Sequence, residues 1–216
     1  MSYVDDIQKV GHLTINEIIK ISNLYVPDIF KPCPWKYIDS QGRTLNHGTA
    51  VLETEELCSA YMSAYGPMHY HKLMRALDEN EFPYSDLAGG IEIYDWGCGQ
   101  AIGTMAVIEK FRQHGMLGKL RKVVLEEPSD VARDRAVIHV KKALEDNNAD
   151  VIAVSKYLPS DNGDNSNSIT SISVEQPTAI HIFSNILDIE AVSLKGVSKM
   201  ITSSGQNHIV LCIGPA

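Results

Sequence analysis

The amino-acid sequence predicts an α/β protein built on an open, doubly wound, mostly parallel sheet, with a mainly helical segment ahead of it. Three observations carry this expectation. From Ile91 onward, short apolar runs alternate with longer helix-like stretches. Those runs are nearly continuous in apolar residues, as strands covered on both faces require. The first 88 residues contain no such runs and read as a lead-in, which divides the chain into residues 1–88 and 89–216.

The elements follow in order. Ile7, Val10, Leu13, Ile18, Ile19 and Leu24 suit two short helices between residues 5 and 25, with Thr14 or Asn16 capping the second. Pro27, Pro32 and Pro34 forbid a long helix from Pro27 to Gly48, and Gly42 between Lys36-Tyr37-Ile38 and Arg43-Thr44-Leu45 suggests a small hairpin. Thr54 caps a helix through Tyr61 to about Tyr65. Gly66-Pro67 is expected to interrupt it before a further helix over Met68–Glu79. The alternating half is read as strands at Ile91–Asp95, Lys122–Glu126, Val151–Val154, Ala179–Phe183 and His208–Ile213. Helices are expected at Gly103–His114, Ser129–Asn147 and Ile189–Ser203. The polar run Pro159–Ser168 cannot bury enough apolar area to order itself and is expected to be a mobile loop.

Composition narrows the function classes. With 216 residues, 44% hydrophobic and 21% charged, the chain has the makeup of an ordinary globular protein. No apolar run approaches the roughly 20 residues of a membrane span, and the acidic start Met1-Ser2-Tyr3-Val4-Asp5-Asp6 is unlike a signal peptide, so a cytoplasmic location without membrane partners is expected. A net charge of −8 disfavours nucleic acid as a partner, although Lys119, Arg121, Lys122, Arg133 and Arg135 are candidates for a local basic face. Cys33, Cys58, Cys98 and Cys212 form no C-x-x-C pair and read as free, mostly buried thiols.

In an open α/β sheet, ligands bind beyond the carboxyl ends of the strands. The residues there are Asp95, Gly97, Cys98, Gly99, Gln100 and Ala101 after the first strand, and Glu126, Glu127, Pro128 and Ser129 after the second. Ser184, Asn185, Ile186 and Asp188 follow the fourth. Gly97 and Gly99 can take positive φ and carry no Cβ, so the turn lets main chain approach a ligand closely. A carboxylate closing the second strand can accept both ribose hydroxyl protons. Asp95 is a candidate to hold a ligand's ammonium group through water or neighbouring main chain. The turn carries no lysine, which disfavours a triphosphate. Together these residues fit an adenosyl ligand bearing an amino-acid tail.

Asp95-x-Gly97-x-Gly99 after an apolar strand, followed by Val123-Val124-Leu125-Glu126-Glu127-Pro128-Ser129, resembles the class I S-adenosylmethionine-dependent methyltransferases over about residues 90–214. The resemblance implies S-adenosylmethionine as cofactor. It places Asp95, Gly97, Cys98, Gly99, Ala101 and Glu127 at its binding site, with Ser184 and Asn185 lining the methyl-transfer site. The expected activity is methyl transfer to an unidentified acceptor, with residues 1–88 as a lid or substrate-recognition element.

The chain departs from the family pattern in several places. Ala101 stands at the third glycine position and is tolerable there if its φ stays negative. Ser184-Asn185-Ile186-Leu187 lacks the Asn/Asp-Pro-Pro-aromatic signature of amino-group methylation on bases. No terminal antiparallel hairpin follows the last strand, which leaves His208–Ile213 as an edge that could pair two copies of the chain. These departures leave a second reading open, a non-catalytic methyltransferase-like scaffold module within a larger protein.

Blander roles compete at each position. The glycine turn can be a plain connection, Glu127 a helix-start acid before Pro128, and Ser184 and Asn185 helix caps. Dinucleotide binding is the weaker ligand reading, because Gly97, Gly99 and Gly103 are spaced Gly-x-Gly-x-x-x-Gly and Asp95 would oppose a pyrophosphate. His69 and His71, two apart on a helix, would diverge rather than chelate a metal. Tyr61, Tyr65 and Tyr70 read as core before pocket lining, and Cys98 as a small filler rather than a nucleophile.

Overall fold

The computed structural model describes residues 2–78, 82–87, 89–158, 177–187, 192–202 and 207–214. The predicted loop at Pro159–Ser168 and the site candidate Asp188 lie outside them. Five strands, β1 (Ile91–Trp96), β2 (Leu120–Glu126), β3 (Asp150–Val154), β4 (Thr178–Ser184) and β5 (Asn207–Ile213), form one sheet in the order β3-β2-β1-β4-β5. Every pairing is parallel. The doubly wound α/β architecture expected from the sequence is the one observed.

The lead-in is mainly helical, with α1 (Tyr3–Lys9), α2 (Ile15–Leu24) and α3 (Glu55–Ala76). Side chains at their first turns fix where they start: Ser2 and Asp5 form a capping box on α1, Thr14 accepts from Glu17 N, and Thr54 accepts from Leu57 N. The remaining helices are α4 (Ile102–Gln113), α5 (Asp130–Ala143) and α6 (Leu194–Thr202). Crossovers through α4 and α5 step the chain from β1 to β2 to β3, while the crossover through α6 steps from β4 to β5 in the other direction. Strand order therefore reverses between β1 and β4, which opens a crevice at their carboxyl ends.

Helices α1 to α5 share one core with β1, β2 and β4, centred on Ile7, Leu13, Met62, Leu73, Ile93, Met105, Val123 and Ile180. Tyr94, Trp96, Val124 and Phe183 point to the other face and pack against Val197 and Ile201 of α6. Among the described residues no helix is long and apolar enough to cross a membrane.

The structure corrects three expectations. Helix α3 runs unbroken through Gly66-Pro67. An interior proline costs about 3 kcal/mol, yet packing holds the helix together: a Cβ at Gly66 would stand 3.1 Å from Ile19 Cγ1, so α3 lies directly on α2 there. The expected hairpin is a single antiparallel bridge between Ile38 and Thr44. Strand β3 is not covered on both faces, because Ile152 and Ala153 are exposed at the sheet edge.

Candidate functional site

A cavity of about 540 Å³ opens over the β1–β4 crevice. That lies in the range of small-molecule sites. Of the eight site residues named from the sequence, six line it: Gly97, Cys98, Gly99, Glu127, Ser184 and Asn185. Asp95 and Ala101 lie beneath the surface, 2% and 0% exposed.

Asp95 is held from the start of α4. Its Oδ2 accepts from Thr104 N at 3.0 Å and Thr104 Oγ1 at 2.8 Å, so the β1 carboxylate caps the start of α4 and faces no ligand directly. Burial pushes its carboxyl up to about 6 against those two hydrogen bonds, and the charge on Glu127 adds to the rise. Ala101 was acceptable on the condition of a negative φ, but it has φ 64°. This left-handed conformation costs an alanine about 1 kcal/mol. It is held because Gln100, the preceding residue, is tied down on three sides. Gln100 Nε2 donates to Cys58 O at 2.8 Å, Gln100 Oε1 accepts from Arg135 Nη1 at 3.2 Å, and Gln100 O accepts from His139 Nδ1 at 3.0 Å.

Those anchors continue into the lead-in. His139 is buried and held neutral, its pKa pushed down to about 4 by burial. Its Nε2 therefore accepts from Tyr3 Oη at 2.8 Å. Arg135, 1% exposed, donates to Glu55 Oε2 at 2.7 Å and to Ser59 Oγ at 2.9 Å, with its guanidinium 3.6 Å over the Tyr3 ring. It cannot belong to a basic face. Lys122 pairs with Glu92 at 2.9 Å, Arg133 donates to Glu127 O at 2.8 Å, and Lys119 donates to Leu87 O at 2.8 Å. Of the candidates for a local basic face, Lys119 and Arg121 remain exposed.

Glu127 sits at the carboxyl end of β2 and faces the cavity. Its Oε2 accepts from Gly99 N and its Oε1 from Ser129 N, both at 2.9 Å. A carboxylate offers about four acceptor positions, so two remain for a ligand. Burial raises its pKa, opposed by these hydrogen bonds and by Arg133. Gly97 requires glycine for two reasons: its φ is 62°, and a Cβ would stand 3.1 Å from Ile186 Cδ1. Cys98 is buried and its thiol is pushed well up by that burial, which suits a filler rather than a nucleophile. Asn185, at φ 57°, donates its backbone N–H to Ile213 O at 2.7 Å, closing the turn after β4 onto β5.

Several lining residues were not found from the sequence. The Gly48–Leu52 loop folds over the cavity, held where Leu52 O accepts from Ser129 Oγ at 2.5 Å. Lys156 and Tyr157 follow β3 at one end of the cavity. Tyr61 and His69 line it from α3, where His69 is buried while His71 is exposed. No local motif marks the loop, which reaches the site only through tertiary packing. The sequence reads His69 as an ordinary surface or half-buried histidine, and its spacing from Tyr61 and Tyr65 on one helix face is the available signal for the cavity wall. Among the described residues no group of three His, Cys, Asp or Glu could hold a metal ion.

The fold and crevice define a Rossmann-like α/β protein with its cavity at the topological switch point. No family model matches the chain, and no curated protein matches it.

Proposed function

We propose that the chain binds S-adenosylmethionine in the β1–β4 crevice and transfers its methyl group to an acceptor. The observation that carries this reading is Glu127: a carboxylate closing β2, facing the cavity beside the Gly97–Gly99 turn, with acceptor positions left over. Two ribose hydroxyls are the partners such a group suits. The open space around the Cβ position of Gly99 and the absence of a lysine from the turn favour a compact zwitterionic tail over a triphosphate. Asp95 supports the ligand at one remove, by fixing where α4 begins. Ser184 and Asn185 stand at the β4 side, where an acceptor would meet the methyl group.

Calorimetric titration with S-adenosylhomocysteine tests the reading. Micromolar binding is expected, and Glu127→Gln should weaken it about 100-fold, the loss of two hydrogen bonds to a charged group at about 1.5 kcal/mol each. No heat at millimolar ligand with a folded protein would overturn it.

A further inference from the structure

We infer that the end of the cavity beneath α3 takes a neutral, hydroxyl-bearing methyl acceptor, and that His69 receives the proton of that hydroxyl. The inference rests on the cofactor reading above. Helix α3 crosses the carboxyl ends of the strands, starting where Glu55 meets Arg135 of α5 and reaching β5 where Lys72 Nζ donates to Gly214 O at 3.1 Å. His69, one turn before Lys72, therefore lies on the β4–β5 side of the crevice. Glu127 and Lys156, the charged side chains lining the cavity among the described residues, follow β2 and β3. From β2 to β4 is two strand spacings, about 10 Å. Among the described residues, the acceptor end at His69 and Ile186 thus has neither a carboxylate to receive an ammonium nor a cation to receive a carboxylate. An uncharged acceptor suits that end.

The state of His69 supplies the second half of the argument. It is 7% exposed, stacked on Tyr65 and edge-on to Tyr61. Among the described residues no hydrogen bond is made to either ring nitrogen, and neither nitrogen is among the sealed, unpartnered polar atoms, so the ring of this cavity-lining residue keeps a nitrogen in contact with open space. Burial, with Lys72 adding to it, pushes its pKa down to about 4, so the imidazole is neutral and able to accept a proton. In the step, a lone pair on the acceptor oxygen forms the bond to the methyl carbon. The sulfur–methyl bond breaks with its electron pair left on sulfur, giving S-adenosylhomocysteine, and the hydroxyl proton passes to the free nitrogen of His69. The positive charge of the sulfonium ends on the imidazolium, which then releases the proton to solvent. A hydroxyl oxygen being methylated is a far stronger acid than an imidazolium, so even this weakly basic ring suffices.

The test incubates the full chain with S-adenosylmethionine labelled in its methyl group and three sets of probes of similar size: phenols (phenol, catechol and 2-naphthol), benzylamine and benzoate. Label is expected on a phenol and on neither of the others. His69→Ala should slow transfer about 100-fold or more while S-adenosylhomocysteine affinity stays within about twofold, and added imidazole should restore part of the rate. Where the alanine variant no longer binds S-adenosylhomocysteine, the closer-shaped His69→Gln takes its place, with the same loss of rate expected. Transfer to benzylamine or benzoate, an unchanged rate in the variant, or a loss that imidazole leaves in place would overturn the inference. A wild-type chain that binds S-adenosylhomocysteine yet methylates no phenol overturns this inference alone, whereas one that binds none overturns the cofactor reading itself.

Discussion

On one face of the sheet Ile91, Ile93, Val123, Leu125, Ile180 and Ile182 lie under α1 to α5, whereas on the other Tyr94, Trp96, Val124 and Phe183 meet α6. The polar groups of the two faces are arranged differently. On the five-helix face four of them reach an element other than their own: Asp95 caps α4, Glu109 Oε1 accepts from Ile15 N at the start of α2, and Arg135 and His139 bind the Gln100 turn to α1 and α3. On the opposite face they run in rows across the strands. Lys122 pairs with Glu92, which accepts from Tyr94 Oη at 2.6 Å. Trp96 Nε1 donates to His181 Nδ1 at 3.1 Å, which leaves His181 Nε2–H to donate to His208 Nδ1 at 3.0 Å. The rings of Tyr94, His181 and Trp96 lie nearly parallel. The first arrangement positions the site, and the second ties strand to strand.

The sharpest way to break this contrast is Arg135→Ala. It strands Gln100 Oε1, Ser59 Oγ and the Glu55 carbonyl at once and should cost about 3–5 kcal/mol, read as a lowered urea midpoint. A loss below about 1 kcal/mol would show that apolar burial alone holds the five-helix face.

Glu126 tests the other face and comes next in size. It is 3% exposed, and its Oε1 is buried without a partner. Burial pushes its carboxyl up to about 7, with Lys156 opposing. An acid whose pKa is raised on folding keeps its proton in the native state after the unfolded chain has lost it. Stability from this group is therefore fully present below about pH 4.5 and is lost as pH rises through about 7. At about 1.4 kcal/mol per pH unit, Glu126→Gln should raise stability at pH 8 by about 3 kcal/mol and leave it nearly unchanged at about pH 4. Chemical denaturation at the two pH values measures both; an equal effect at each would refute a buried, displaced carboxyl. Asp95 contributes a slope of the same sign between about pH 4 and 6, which the Glu126 variant retains.

Trp96→Phe has the smallest expected effect. It keeps the ring against Phe183 but leaves His181 Nδ1 without its donor, at a cost of about 1 kcal/mol. A neutral outcome by thermal denaturation would mean that stacking, not the N–H, sustains the row.

The strands and the glycine turn were legible because their signals are local: a continuous apolar run, two glycines and an acid at fixed offsets. The wall of the site was not, because Leu52 and His69 reach it through helix packing that no short window contains. Pro67 misled for the same reason, since its local penalty is outweighed by the contact of Gly66 with Ile19. Asp95 was placed correctly at the strand end, but the donor it serves, Thr104, belongs to the next element.

The chain of contacts from Gln100 through His139 to Tyr3 has a thermodynamic consequence. Whatever free energy a ligand gains from a well-held Gly97–Ala101 turn, it gains in common with the docking of α1, the seven-residue helix that starts at Tyr3. By reciprocity, a bound ligand must lower the equilibrium population of frayed α1 by the same factor that fraying weakens the ligand. The amides of residues 5–9 thus become a remote gauge of occupancy in the crevice.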